Sequence, residues 1–265
     1  MIIIFLIFGL IIGSFLNAVI YRLNAVESLL DRSHCPHCKK QVRWFDNIPV
    51  ISFLILSAKC RDCGEKISWQ YPLVELSMGV LFALVAKYFF IFEDQSTWLL
   101  SGYYLVIFSI LMIIFVYDLK YMEIPMLILW SGVIVSLAFL IASDWQNFEL
   151  MLGILDLATV SGLIAGGLAF LFFFALAYYS KETWMGYGDA YLGLLAGLTV
   201  GWPSILGVLL LAFTIGAVIS VGLISLSKKT MKSQVPFAPF LVVGIFLVIF
   251  LPHFFPQITS LFLLI

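Results

Sequence analysis

Two carboxylates and four thiols hold most of the chemistry this chain could perform. Asp118 stands in Val116-Tyr117-Asp118-Leu119, at the end of one apolar stretch. Asp189 stands in Met185-Gly186-Tyr187-Gly188-Asp189, a glycine-rich turn between two others. Two carboxyl groups that meet can hold a water between them, one ionised and one protonated, and aim it at a peptide carbonyl. Ionisable residues at membrane depth are costly to place and tend to serve function. Gly186 and Gly188 would permit positive φ and leave the backbone bare, so that a substrate strand could lie close to Asp189. A blander arrangement uses the same residues: both aspartates as loop residues at a water interface, with Asp189 capping the helix that follows.

The thiols form two pairs, Cys35-Pro36-His37-Cys38 and Cys60-Arg61-Asp62-Cys63, with 21 residues between them. Two thiolates two residues apart grip one face of a tetrahedral ion, and a second pair completes it at about 2.3 Å per bond. Four thiolates around Zn²⁺ leave two negative charges, and Lys39, Lys40, Arg43, Lys59 and Arg61 are at hand to offset them. Four cysteines fill the shell, so the expected site is structural zinc, stapling a segment with too little apolar mass to fold alone. His34 and His37 are alternative ligands beside the first pair.

The elements that must position these groups are membrane helices. The chain is 63% hydrophobic and 11% charged over 265 residues, against a charged fraction of roughly 25% in soluble domains. Apolar runs longer than about 18 residues recur and do not alternate with polar residues, which favours a helix bundle over a lipid-facing barrel. The N-terminal run lacks a basic flank and a cleavage site and is read as a retained first helix. Spans are expected near residues 1–21, 72–92, 98–117, 125–142, 154–179, 189–200, 204–226 and 236–251. The sixth is short, stopped by Gly201-Trp202-Pro203. The fold class is thus an all-α polytopic membrane protein of about eight transmembrane helices, with a small zinc-binding segment after the first. The expected organisation is a first helix over 1–21, a four-cysteine domain over 22–71, and a membrane core over 72–265.

Charge sets the orientation. Loops on one side, containing the cysteine segment, Asp118, Asp189 and Lys228, hold thirteen of the fourteen basic residues; the exception is Lys87 in the second span. The opposite loops carry Glu93, Asp94, Asp144 and Glu149 and no Lys or Arg. The cysteine segment and both aspartates are therefore expected in the cytoplasm, and the N-terminus outside. Gly13-Ser14 would let another helix approach closely, and Asn17 suits an interhelical hydrogen bond. Glu75 could serve chemistry, cap its helix or pair with a base of the cysteine segment. Asp156 is expected at the outer interface, and Lys87 to snorkel.

In order along the chain stand Gly13-Ser14-Phe15-Leu16-Asn17, Ile20-Tyr21-Arg22-Leu23, the two cysteine pairs flanking Asp46-Asn47-Ile48-Pro49, and Ile67-Ser68 with Tyr71-Pro72-Leu73-Val74-Glu75. Asp118-Leu119 with Ile124-Pro125, Gly186-Tyr187-Gly188-Asp189 and Pro236-Phe237-Ala238-Pro239-Phe240 follow. This ordered set resembles the bacterial type IV prepilin peptidases. The resemblance implies a membrane aspartyl protease of the GxGD class in the bacterial inner membrane. It would remove the short basic leader of prepilins or pseudopilins, cutting after a glycine just before the hydrophobic helix, with Asp118 and Asp189 as the catalytic pair. It also implies, for many members, N-methylation of the new terminus with S-adenosylmethionine. The four-cysteine segment, absent from shorter peptidase-only relatives, is compatible with that second activity. Met126 stands where the family often has Asp, Tyr191 where it has Lys, Asn24 where it has Pro, Ala238 where it has Gly, and Ser57-Ala58 where it has Arg-Gly. None of these removes a catalytic carboxylate.

Other classes fit less well. A peptidase lacking methyl transfer differs only in the second activity. A proton- or ion-coupled transporter needs polar residues through the bilayer midplane, and the spans hold few. A zinc scaffold that only recruits a partner leaves the aspartates and glycine turn without a role. Beyond prepilin-like substrates and lipid, no nucleic-acid partner is expected.

Overall fold

In a computed structural model, residues 1–28, 31–94, 96–146, 157–226 and 235–255 are described. Glu149, Lys228, Lys229 and Lys232, expected in loops, and Asp156, expected at the outer interface, lie outside them. The chain divides into two compact units, Met1–Ile113 and Ile114–Ile265.

The long helices are α1 (Ile2–Ala25), α3 (Gln70–Tyr88), α4 (Ser96–Tyr121), α5 (Met126–Gln146), α6 (Ala158–Ser180), α7 (Tyr187–Val200), α8 (Ser204–Ser225) and α9 (Ala238–Phe254); a five-residue helix, α2 (Ile51–Ile55), lies in the cysteine segment. The eight long ones match the eight expected spans, with ends moved by a few residues. Six are long and apolar enough to cross a membrane; α9, at 17 residues, is shorter. Helix α7 has 14 residues, about 21 Å, short of a hydrocarbon core of about 30 Å. A helix satisfies its own backbone in lipid, which is why these apolar runs take this form.

In the first unit α1 packs on α3 through its small residues. A Cβ added at Gly13 would lie 2.7 Å from the Cα of Glu75, and one at Gly9 2.5 Å from the Met78 carbonyl oxygen. The Asn17 amide donates to the Tyr71 carbonyl at 3.1 Å, the interhelical bond expected of it. Phe5–Phe90 and Phe89–Tyr104 ring contacts, at 5.2 and 4.6 Å, close the far end.

In the second unit α7 is held by α6 on one face and by α5, α8 and α9 around it. Among the buried residues of α7 are the small Ala190, Gly193, Ala196 and Gly197, and among those of α6 Gly162, Ala165, Gly166 and Ala169. Small residues at helical spacing let two backbones come together without an amphipathic pattern. A Cβ at Gly197 would overlap the Gly166 nitrogen. Asp144, expected in a loop, belongs to the last turn of α5 and is buried. Its carboxylate accepts the Ala158 and Thr159 N–H groups at 2.7 and 3.0 Å. A side chain of one helix thus satisfies the free amides that open the next.

Candidate active site and metal cluster

Asp118 lies in the last turn of α4, which runs on to Tyr121. The helix ends there: the Met122 N–H returns to the Asp118 carbonyl at 2.9 Å, and Met122 has φ of 56°. Asp189 is the third residue of α7, behind the N-cap Gly186. Its N–H donates to the Gly186 carbonyl at 3.2 Å, and its carboxylate interacts with the Gly186 amide. Asp189 therefore bonds back to the helix start rather than standing at the cap itself.

The glycines work differently from expectation. Gly186 is extended, with φ of −82° and ψ of 157°, and neither it nor Gly188 has positive φ. Gly188 is already helical, and its missing side chain makes room for Ile124, whose Cδ1 would be 3.2 Å from an added Cβ. Its role is close approach of the α4–α5 connection to the start of α7.

Asp118 and Asp189 line one cavity of about 1010 Å³, and the charge of Asp118 acts on Asp189. Asp118 is 6% exposed. The Ala238 amide, first of α9, interacts with its carboxylate, while Oδ2 is buried with no hydrogen-bond partner among the described residues. Glu123 and Glu182 also line the cavity, and no Lys or Arg does among its described residues. Met122, Ile124, Met126, Trp184 and Phe237 supply an apolar wall. Such a cavity offers paired carboxyl groups, acidic surroundings and an apolar slot.

Spacing singled out the two aspartates and their glycines, but not Glu123 and Glu182, which line the same cavity, or Ala238, whose amide meets Asp118. Ala238 contributes only its backbone; the hint was its place in Pro236-Phe237-Ala238-Pro239-Phe240. The two glutamates were visible only as neighbours of the focal residues in short loops. Tyr191 does not line the cavity; its ring sits 5.7 Å from Trp130 and 5.5 Å from Phe170.

In the first unit Cys35, Cys38, Cys60 and Cys63 come together, all four sulfurs within 4.8 Å of one another. The Cys35 and Cys63 sulfurs are 3.9 Å apart, close to the ~3.8 Å that tetrahedral bonds of about 2.3 Å require. Two like-built knuckles present them. The Cys35 N–H donates to the Lys40 carbonyl and the Cys60 N–H to the Glu65 carbonyl, at 2.9 and 2.8 Å. Lys39 and Gly64 take the same left-handed position in each, with φ of 56° and 72°. His34 and His37 are outside the cluster, and His34 lies 3.4 Å from Glu27. Backbone amides of Cys63 and Asp62 hold the Cys60 thiol down to about 7. The Glu65 amide favours the Cys63 thiolate, but burial and the three neighbouring sulfurs together push that thiol up to about 12. Four sulfurs so close resist full ionisation by themselves, which is the environment a divalent cation relieves. The donor set fits a four-coordinate thiophilic metal.

Glu75 is buried and accepts the Val50 N–H at 2.7 Å. It ties α3 to the cysteine segment through a backbone amide rather than a basic side chain. Lys87 sits with Nζ 4.8 Å from the Tyr88 ring.

Comparison with known proteins adds lineage to this geometry. The sequence model of the bacterial peptidase A24 N-terminal domain matches residues 7–89, and that of the type IV leader peptidase family matches residues 105–221. A prepilin leader peptidase/N-methyltransferase of Myxococcus xanthus is 34% identical over 80% of this chain and 60% of its own length. One from Stutzerimonas stutzeri is 30% identical over 90% of this chain and 86% of its own. A type 4 prepilin-like proteins leader peptide-processing enzyme of Escherichia coli is 34% identical, covering 93% of both. No solved structure matches the chain.

Proposed function

This chain belongs to the type IV leader peptidase family, and on that premise we propose that it cleaves prepilin or pseudopilin leaders with Asp118 and Asp189. The observation that carries the assignment is their meeting on one cavity, where Asp118 Oδ2 is buried without a hydrogen-bond partner among the described residues. One carboxylate takes a proton from water as the oxygen attacks the scissile carbonyl carbon. The other, protonated, gives a hydrogen bond to the carbonyl oxygen as it becomes an alkoxide. Collapse of the tetrahedral species breaks the C–N bond, and the leaving nitrogen takes a proton from the acid. The Ala238 amide holds one oxygen of Asp118, and the Gly186 amide orients Asp189.

The surroundings support a peptide with a basic part and an apolar part. Glu123 and Glu182 add negative charge to that of the two aspartates, and no Lys or Arg lines the cavity among its described residues. The wall of Met126, Trp184 and Phe237 suits an apolar segment beside it. A transporter reading gains nothing here, because the paired groups open on a cavity whose walls come from helix ends.

The second activity we propose is N-methylation of the newly exposed amine with S-adenosylmethionine as donor; the names of the relatives give N-methyltransferase for those proteins. Zinc is the metal we assign to Cys35, Cys38, Cys60 and Cys63, in a structural role. We assign the cysteine segment and both aspartates to the cytoplasmic side of the inner membrane, with the N-terminus outside, on the strength of the basic-residue bias. The functional division is a first span over 1–21, the zinc segment over 22–71 and the protease core over 72–265. Co-expression with a prepilin, following leader loss and methyl transfer from labelled S-adenosylmethionine, tests both activities. Persistent leader loss in both aspartate variants would defeat the first, and cleaved product without methyl the second.

A further inference from the structure

Residues 44–56 carry an apolar surface that the metal cluster does not use. Ile51, Leu54 and Ile55 are exposed, the last two at 68% and 70%. At positions i, i+3 and i+4 they form one face of α2. Trp44 and Trp69 are exposed beside them, and Trp69 packs on Phe53 with ring centroids 4.9 Å apart. Single exposed leucines need no explanation, but a contiguous apolar and aromatic face does.

Hydrogen bonds within the first unit fix the level of this face. Helix α3 has 19 residues, about 28 Å, so all of it is needed to cross a hydrocarbon core of about 30 Å. Glu75 is five residues past Gln70, about 7.5 Å along that axis. The amide of Val50, N-cap of α2, donates to Glu75 Oε2 at 2.7 Å. Helix α1 gives the same answer. Gly13 meets Glu75 and Asn17 meets Tyr71, yet α1 runs on to Ala25. Helix α2 therefore starts beside the interior of two candidate spans, not beyond their ends.

We propose that residues 44–56 form a re-entrant wedge seated in one leaflet of the bilayer, with Ile51, Leu54 and Ile55 against lipid acyl chains. Trp44 and Trp69 lie at the interface, where indole rings are favoured. The basic knuckles meet anionic headgroups. Among the described residues no ion pair engages Lys59 or Lys66, while Arg43 lies over the Phe45 ring at 5.9 Å and its charge acts on Asp46. Arg61 grips Asp46 with two nitrogens, at 2.9 and 2.6 Å, which ties the wedge to the second metal knuckle. Lipid is the occupant because the chain is tethered at both ends by spans and its cations flank its apolar face. The wedge also gives Glu75 a purpose. Non-helical backbone at membrane depth needs protein partners, and Val50, with φ of 62°, is such a position. Glu75 is a positioning residue that holds the wedge at its level.

The test uses the full-length, metal-loaded protein in nanodiscs of phosphatidylglycerol and phosphatidylethanolamine. A photo-crosslinking amino acid replaces Leu54, Ile55 or, as an exposed control, Arg32; Ile51 substitutes for a site that fails to fold. Mass spectrometry is expected to find acyl-chain adducts at 54 and 55 in several-fold excess over position 32. Equal yields at all sites, or adducts at 54 and 55 to protein alone, would overturn the proposal. Glu75→Ala should lower the lipid adducts at 54, and Glu75→Gln, which keeps an acceptor for Val50, should restore them. Unchanged lipid yield in Glu75→Ala would remove Glu75 from the account. None of these readouts depends on peptidase activity.

Discussion

Asp118 and Asp189 open on one cavity from opposite helix ends, Asp118 from the last turn of α4 and Asp189 from the first turn of α7. The start of α7 favours a carboxylate, and the end of α4 does not. The first amide of α9, at Ala238, offsets that disadvantage at Asp118. Three helix ends thus build the pair.

Removing that amide should therefore impair the pair while sparing the helix. Proline is tolerated at the first helical position, so Ala238→Pro deletes the donor, although Phe237 before it has helical angles that a following proline disfavours. A hydrogen bond to a charged group contributes about 1.5–3 kcal/mol, and the expected loss of leader cleavage is roughly 10- to 100-fold. Ala238→Gly keeps the amide and should keep most of the activity. Thermal unfolding of both variants separates a local effect from misfolding. Equal cleavage by the proline variant would show that the amide does not matter.

The acidic cavity should read basic side chains. Glu123→Gln and Glu182→Gln are expected to raise KM for a leader rich in Lys and Arg and to leave kcat near that of the parent. Exposed charge pairs contribute about 0.2–1 kcal/mol each, so each change should be a factor of roughly 1.4–5, smaller at high salt. A leader with its cations replaced by glutamine should lose the discrimination. A drop in kcat without a change in KM would point to another role.

The seam between α6 and α7 should tolerate little. Gly197→Leu places a side chain where the Gly166 backbone already stands. Overpacking typically costs about 1–3 kcal/mol, and backbone contact this close puts the variant at the upper end. Lower yield and an earlier thermal transition are expected, with cleavage lost because α7 carries Asp189. Gly222→Ala, where an added Cβ meets nothing within 4 Å, should be neutral in both measurements.

The cluster should hold one zinc per chain, read by elemental analysis, and Cys35→Ser or Cys60→Ser should lose it. The Cys60 thiol is held down to about 7 by backbone amides. A group with a depressed value favours its ionised form at neutral pH, and protons reclaim it as pH falls. Zinc retention should therefore fall on acidification and be stable above neutrality. Retention unchanged in both serine variants would place the metal elsewhere.

Much of this was legible in the residues. Apolar length revealed the helices, because lipid leaves few alternatives to a helix. The cysteine spacing revealed the cluster, because a tetrahedral shell dictates it. Asn17 and Gly13 announced a helix contact and make one with α3. Other features needed coordinates. Ala238 acts through a backbone amide, which no side-chain pattern records. Asp144 looked like a loop acid and is a buried cap, because its partner amides are fourteen residues away in sequence. Gly188 suggested positive φ and instead serves close packing against Ile124. Glu75 had several plausible roles, and the choice depended on where Val50 lies.

The most direct measurement is leader cleavage of a co-expressed prepilin by wild type, Asp118→Asn and Asp189→Asn, with expression and zinc content matched. General acid–base groups contribute about 10²–10⁴-fold each, and the account predicts uncleaved prepilin in both variants at times when wild type has finished. Processing at wild-type rate in either variant would contradict it.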